Sequence, residues 1–224
     1  MVFAWKQFLT TPVCIGCGSF FVERSLFCHD CYEALIVPRI VNGGDECSEF
    51  ADRHHYLIEW SSLGSDKTAQ LIYRLKSNNS IEAIAHYAEL LAPRLLEVTA
   101  HSSFAAIVPI PSSKKSSVHA HLLAAKLSQK IGIPVMDVLQ KISSAEQKTL
   151  TASERSLLLS IQLSSRAHEE FTRKASRQRK YIFVDDVLTT GESFKQASAA
   201  LTDHKQNLIV TLFYRSRSAR FGRS

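Results

Sequence analysis

The chain contains no run of the eighteen or so apolar residues that a membrane-spanning helix needs, so membrane insertion is not expected. It also lacks the phosphate loop G-x-x-x-x-G-K-[ST] and the dinucleotide fingerprint G-x-G-x-x-G, which removes the two commonest nucleotide-binding loops. No internal repeat occurs, and the only biased segment is an arginine-rich C-terminal end. Met1 to Val13 carries a lysine in its middle and lacks the basic-then-apolar layout of a secretory signal, so a cytoplasmic location is expected. Cysteine is scarce and odd in number: five residues, four of them in paired spacing, which argues for metal rather than for disulfides.

What remains is ordinary in bulk and uneven in charge. The 224 residues are 45% hydrophobic and 21% charged, enough for one full-sized domain plus a small module. From Arg173 onward eleven Lys or Arg face four acids, a surplus of seven, whereas the whole chain is only +6. The basicity therefore belongs to the C-terminal portion.

Cys14-Ile-Gly-Cys17 and Cys28-His-Asp-Cys31 are two C-x-x-C pairs separated by ten residues. That spacing brings four thiolates within tetrahedral reach of one Zn2+, and Gly16 and Gly18 permit the turns that aim backbone amides at sulfur. A redox role would need one pair. Four protein ligands leave no open coordination position, so the expected site is structural. His29, between two of the ligands, is expected to face solvent. Cys47 has no partner at metal spacing. His54-His55 is a tempting pair, but neighbours in a strand point apart, and surface histidines are expected.

The most informative stretch is Tyr181-Ile-Phe-Val-Asp-Asp-Val-Leu-Thr-Thr-Gly-Glu-Ser193. It opens with four aromatic or aliphatic residues, as a strand buried on both faces requires. Two acids and a hydroxyl-rich turn follow, and from Ser193 the apolar spacing becomes helical. A helix N-terminus attracts phosphate, Thr189, Thr190 and Ser193 supply hydroxyl donors, and Gly191 lets the backbone approach a ligand. Asp185 and Asp186 cannot bind that phosphate; they suit sugar hydroxyls, or the Mg2+ such hydroxyls help to hold. The pattern points to a sugar phosphate. The plainer alternative is a strand-to-helix loop capped by Thr or Ser.

Other segments read in the same α/β sense. Tyr56–Trp60, Phe104–Val108, Val135–Val138 and Asn207–Tyr214 are candidate strands. Asp66–Lys76, Ile81–Val98 with a break or kink at Pro93, and Val118–Ile131 are candidate helices. Strands alternating with helices predict a parallel sheet. The mixture of Pro, Gly and Ser from Val37 to Asp52 reads as a linker. The expected division is a zinc module at 1–40, a linker at 41–55 and an α/β domain at 56–224.

Val184 to Ser193 resembles, along its whole length, the phosphoribosyl pyrophosphate (PRPP) motif of type I phosphoribosyltransferases. Together with the cysteine pairs, Leu75-Lys76, Val108-Pro-Ile-Pro111, Gln147, Leu150, Arg155 and Phe171, it resembles the ComF family (ComFC and GntX-like proteins), linked to DNA uptake in natural transformation. The resemblance implies a type I phosphoribosyltransferase fold with a small N-terminal zinc ribbon, binding PRPP with Mg2+. Asp185 and Asp186 would hold the ribose hydroxyls, directly or through Mg2+, and would be the catalytic acids. Val187, Leu188, Thr189, Thr190, Gly191, Glu192 and Ser193 complete the PRPP loop, and Lys76 with Lys114 and Lys115 would meet pyrophosphate. Transfer would pass through an oxocarbenium-like ribosyl centre, for which the protein supplies charge and positioning. The chain departs from the family at Lys115-Ser-Ser-Val-His119, where relatives carry Arg-Gly-Phe-Asn-Gln, and lacks the asparagine usual shortly after Arg155.

Three functions remain open at this point. One is a PRPP-dependent transferase acting in DNA uptake. Another is a catalytically inactive protein of the same fold that binds DNA or serves as an adaptor. A third is a nucleotide-salvage phosphoribosyltransferase. Phe213, Tyr214 and Phe221 among arginines could stack bases of single-stranded DNA while the cations track phosphates; the alternative for that tail is a solvated charge run.

Overall fold

The computed structural model describes residues 13–48, 51–60, 67–78, 80–112, 118–142, 161–165, 179–202 and 207–215, without the side chains of 41–48, 51, 52, 77 and 78. Seven strands are described: β1 (Ile40–Ser48), β2 (Ala51–Trp60), β3 (Ala106–Pro109), β4 (Leu139–Lys141), β5 (Ile161–Leu163), β6 (Tyr181–Leu188) and β7 (Leu208–Arg215). The helices are α1 (His29–Leu35), α2 (Lys67–Asn78), α3 (Ile81–Ala100), α4 (His119–Ile131) and α5 (Glu192–Leu201).

The main sheet runs in the order β1-β2-β7-β6-β3. Its four strands β2, β7, β6 and β3 are parallel to one another, and β1 lies antiparallel on the edge beside β2. The protein is thus an α/β protein with a four-strand parallel sheet. β4 and β5 form a separate antiparallel pair.

Parallel strands covered on both faces should be apolar throughout, and β6 shows why its opening run is so hydrophobic. Ile182 and Val184 join Ile107, Leu208, Val210 and Leu212 in one core cluster, against Ile84, Leu91 and Leu95 of α3 and Leu123 and Leu127 of α4. Tyr181 and Phe183 enter the other, with Val108, Ile209, Phe194 and Ala197 of α5, and Ile161 of β5. Helix α3 is held in place by a stripe of Ala83, Ile84, Tyr87, Ala88, Leu91, Ala92 and Leu95, spaced for one face. It runs unbroken through Pro93, where the sequence suggests a break or kink.

Three expectations are corrected here. The stretch read as a linker contains β1 and the start of β2: its glycines and serine fall in an edge strand, whose pairing with β2 shifts register between Ile40 and Gly44 and again between Glu46 and Ser48. His54 and His55 are not on the surface; they are 1% and 5% exposed. His54 Nε2 lies 2.9 Å from the Thr211 hydroxyl, and burial, then the neighbouring His55, lowers its pKa to about 3. Composition alone could not show this, because the strand is central only once β7 pairs with it. Val135 makes a single parallel bridge to Ile107 in place of a full strand over 135–138.

Candidate functional site

The four cysteines converge. Their sulfur atoms all lie within 4.8 Å of one another, with Cys14–Cys28 and Cys17–Cys28 separations of 3.7 Å. A tetrahedral ion with metal–sulfur bonds of about 2.3 Å needs sulfur–sulfur edges of about 3.8 Å, so the cluster fits a structural Zn2+. The two pairs are built differently. Cys14 to Cys17 is a tight turn, in which the Gly18 N–H donates to the Cys14 carbonyl at 2.9 Å. Cys28 instead precedes α1 and Cys31 lies in its first turn, with the Tyr32 N–H donating to the Cys28 carbonyl at 2.9 Å. The second pair therefore takes its spacing from a helical turn rather than from a second hairpin.

Backbone amides supply the local electrostatics. The Cys28 N–H donates to Cys14 Sγ at 3.2 Å. Burial alone would raise the Cys14 pKa, but the N–H groups of Cys28, Cys17 and Gly16 outweigh it and lower the value to about 6. The Cys28 side chain, then burial, pushes Cys31 up to about 12. Four crowded thiols thus resist joint ionisation, and a dication relieves that conflict. Gly16 is required by close approach: a Cβ there would sit 2.5 Å from Cys31 Sγ. His29 faces solvent, 3.9 Å from Glu23.

This module is fixed to the α/β body. Cys14, Ile15, Phe27 and Ile36 belong to the same buried cluster as Leu57, Tyr87 and Ile182. The Tyr87 hydroxyl donates to the Ser25 carbonyl at 2.9 Å, Arg24 pairs with Glu89 at 3.0 Å, and Lys67 Nζ donates to the Ile15 carbonyl at 3.1 Å. A cleft of about 680 Å3 opens between module and body, lined by Arg24, Arg74, Glu82 and His86 among others. Another, of about 510 Å3, lies by Arg53, His101, Lys180 and Asn207. Neither lining includes the loop after β6.

That loop occupies a position set by topology. From β3 the chain passes through α4 to Val135, which bridges back to Ile107; from β6 it passes through α5 to β7, on the other side. The two connections diverge between neighbouring parallel strands, the arrangement that opens a crevice at their carboxyl ends. Asp185 and Asp186 stand there, half-buried in β6 just past its last pair with β3 at Val184, with the Asp186 N–H donating to Asp185 Oδ1 at 2.8 Å. Burial, then the adjacent Asp186 carboxylate, holds the Asp185 pKa well above the usual carboxylate range. Lys76, in the last turn of α2, reaches across to Asp186 Oδ2 at 3.3 Å.

The residues that follow in the sequence divide by role. Val187 packs against one core cluster and Leu188 is buried in the other, and both are strand residues paired with β7, so their role is structural. Thr189 and Thr190 are exposed. Gly191 is the N-cap of α5 with φ +78°, a left-handed conformation that a side chain disfavours. Glu192 and Ser193 form the first turn, where Glu192 accepts from Gln196 Nε2 at 2.9 Å. Lys114, Lys115, Gln147, Leu150, Arg155, Phe171 and the arginine-rich tail from 216 lie outside the described residues.

Sequence reasoning missed the packing of Gly16 against Cys31 and the hydrogen bonds that lock the module to α3; the only legible signal was the position of Gly16 between two ligands. Comparison with models of known protein families and with curated proteins returned no match, so the molecule stands as an α/β protein with a four-strand parallel sheet and an N-terminal four-cysteine cluster fit to hold a metal.

Proposed function

We propose that the protein is a ComF-like phosphoribosyltransferase-type protein that binds PRPP with Mg2+ at the loop after β6 and acts in DNA uptake. The observation that carries the reading is the placement of two adjacent half-buried carboxylates, an exposed Thr-Thr turn and a glycine-capped helix at a switch point of a parallel sheet. Phosphate suits the N-terminus of α5 and the hydroxyls of Thr189, Thr190 and Ser193. The ribose diol suits Asp185 and Asp186. Their oxygens are the hard donors Mg2+ prefers, and a dication would supply charge neutralisation for leaving pyrophosphate. Lys76, already on Asp186, is within reach of the same ligand.

The role in DNA uptake rests on the resemblance in sequence, as does the assignment of the four-cysteine cluster to a zinc ribbon. Titration calorimetry tests the site. Wild type should bind PRPP in Mg2+, and Asp185→Asn combined with Asp186→Asn should abolish binding without unfolding the chain. Unchanged binding in that variant refutes the assignment. Pyrophosphate release with and without single-stranded DNA then separates a transferase from a binding protein.

A further inference from the structure

The carboxylates at the end of β6 already have a cation. Lys76 Nζ lies 3.3 Å from Asp186 Oδ2, although the two come from elements far apart in the chain. The lysine side chain is 47% exposed and the aspartate only 13%. The ammonium can therefore swing outward on its flexible stem while the carboxylate stays in place. A divalent ion drawn to Asp185 and Asp186 must take the position the ammonium now fills.

We infer that Lys76 is a tethered counter-ion that disfavours a bare divalent cation and yields to one arriving with a polyphosphate. The inference rests on the PRPP reading of the loop and deepens it. A bare ion displaces Lys76 and then sits near the ammonium it has displaced, which remains anchored to the end of α2; like charges at that range repel. A cation carried by a sugar pyrophosphate brings surplus negative charge, and the displaced ammonium takes that charge as its new partner. The same lysine thus opposes one ligand and assists the other, so the site loads metal and sugar together.

The test is a titration of the zinc-loaded full chain with Mn2+, reading free ion by electron paramagnetic resonance, with and without PRPP. Lys76→Met should bind bare Mn2+ more tightly, on the order of tenfold, and Mn2+ with PRPP more weakly. Lys76→Arg, which keeps the charge, should follow wild type. The gain in Lys76→Met should vanish when Asp185→Asn and Asp186→Asn are added. Unchanged or weaker bare-ion binding in Lys76→Met overturns the inference, as does a gain that survives loss of both carboxylates. If wild type binds Mn2+ with PRPP but Lys76→Met shows no gain, the inference alone falls. If wild type fails to bind PRPP with Mn2+, the reading beneath it falls as well.

Discussion

Two clusters of acidic groups, thiols in one and carboxyls in the other, stand out among the described residues, and they are stabilised by different means. The cysteines at the N-terminal end are knit into the fold: Cys14 is buried although Cys17 is exposed, backbone amides point at the Cys14 sulfur, and Gly16 packs against Cys31. The aspartates of β6 are partly buried beside an exposed turn, with only one local amide and one half-exposed lysine to offset them among the described residues. A closed set of soft ligands builds a structural metal site that finishes a core. A pair of hard carboxylate oxygens suits the exchangeable cation and sugar phosphate proposed above.

Substitutions should separate the two sharply. Cys14→Ser removes a ligand from a module that shares the core of α3, so the loss should spread beyond the module. A fall in melting temperature on the order of 10 °C is expected, with loss of the single bound zinc by metal analysis. An unaltered melting curve would mean that the four-cysteine cluster does not support the body. Gly16→Ala forces a Cβ against Cys31 Sγ and should cost about 1–3 kcal/mol, seen as faster zinc loss to a chelator.

His54, buried against β7, tests the body itself. Its folded pKa of about 3 lies below the ordinary value of 6.5, so the unfolded chain binds the extra proton first as pH falls. Stability from this group is complete above pH 6.5 and declines from there toward pH 3, by about 2 kcal/mol at pH 5. Denaturant melts at pH 7 and pH 5 should show that loss in wild type and less of it in His54→Gln. Asp185 gives the opposite sign. Its carboxyl is raised, so the folded state holds a proton longer and this group's contribution to stability declines as pH rises above the ordinary carboxylate range. Asp185→Asn should therefore stabilise the chain at neutral pH while removing the proposed PRPP binding. Cysteine changes lose stability first; the aspartate change gains it and loses the ligand.

Much of this is legible in the amino-acid sequence. The run Tyr181–Val184 reads as a doubly covered strand because all four residues are apolar, and Phe194, Ala197 and Leu201 do face the core from α5. The cysteine quartet is legible because metal ligation fixes spacing within each pair, and convergence follows from chemistry. The histidines at 54 and 55 are not, since nothing local distinguishes a surface strand from a central one. The segment at 40–48 is not, because its glycines resemble a linker until β2 offers an edge to pair with.

The sequence by itself determined which groups carry chemistry: four thiols in two pairs, two acids followed by hydroxyls, and a strand-to-helix turn. Side-chain type and near-neighbour spacing are local properties, so they survive in the linear chain. Only the tertiary structure decided that Lys76 meets Asp186, that Tyr87 ties down Ser25, and that the connections leaving β3 and β6 diverge beside the acidic pair. Those contacts join residues far apart in sequence, and they exist only because burying both faces of one parallel sheet draws the helices and the cysteine module onto it.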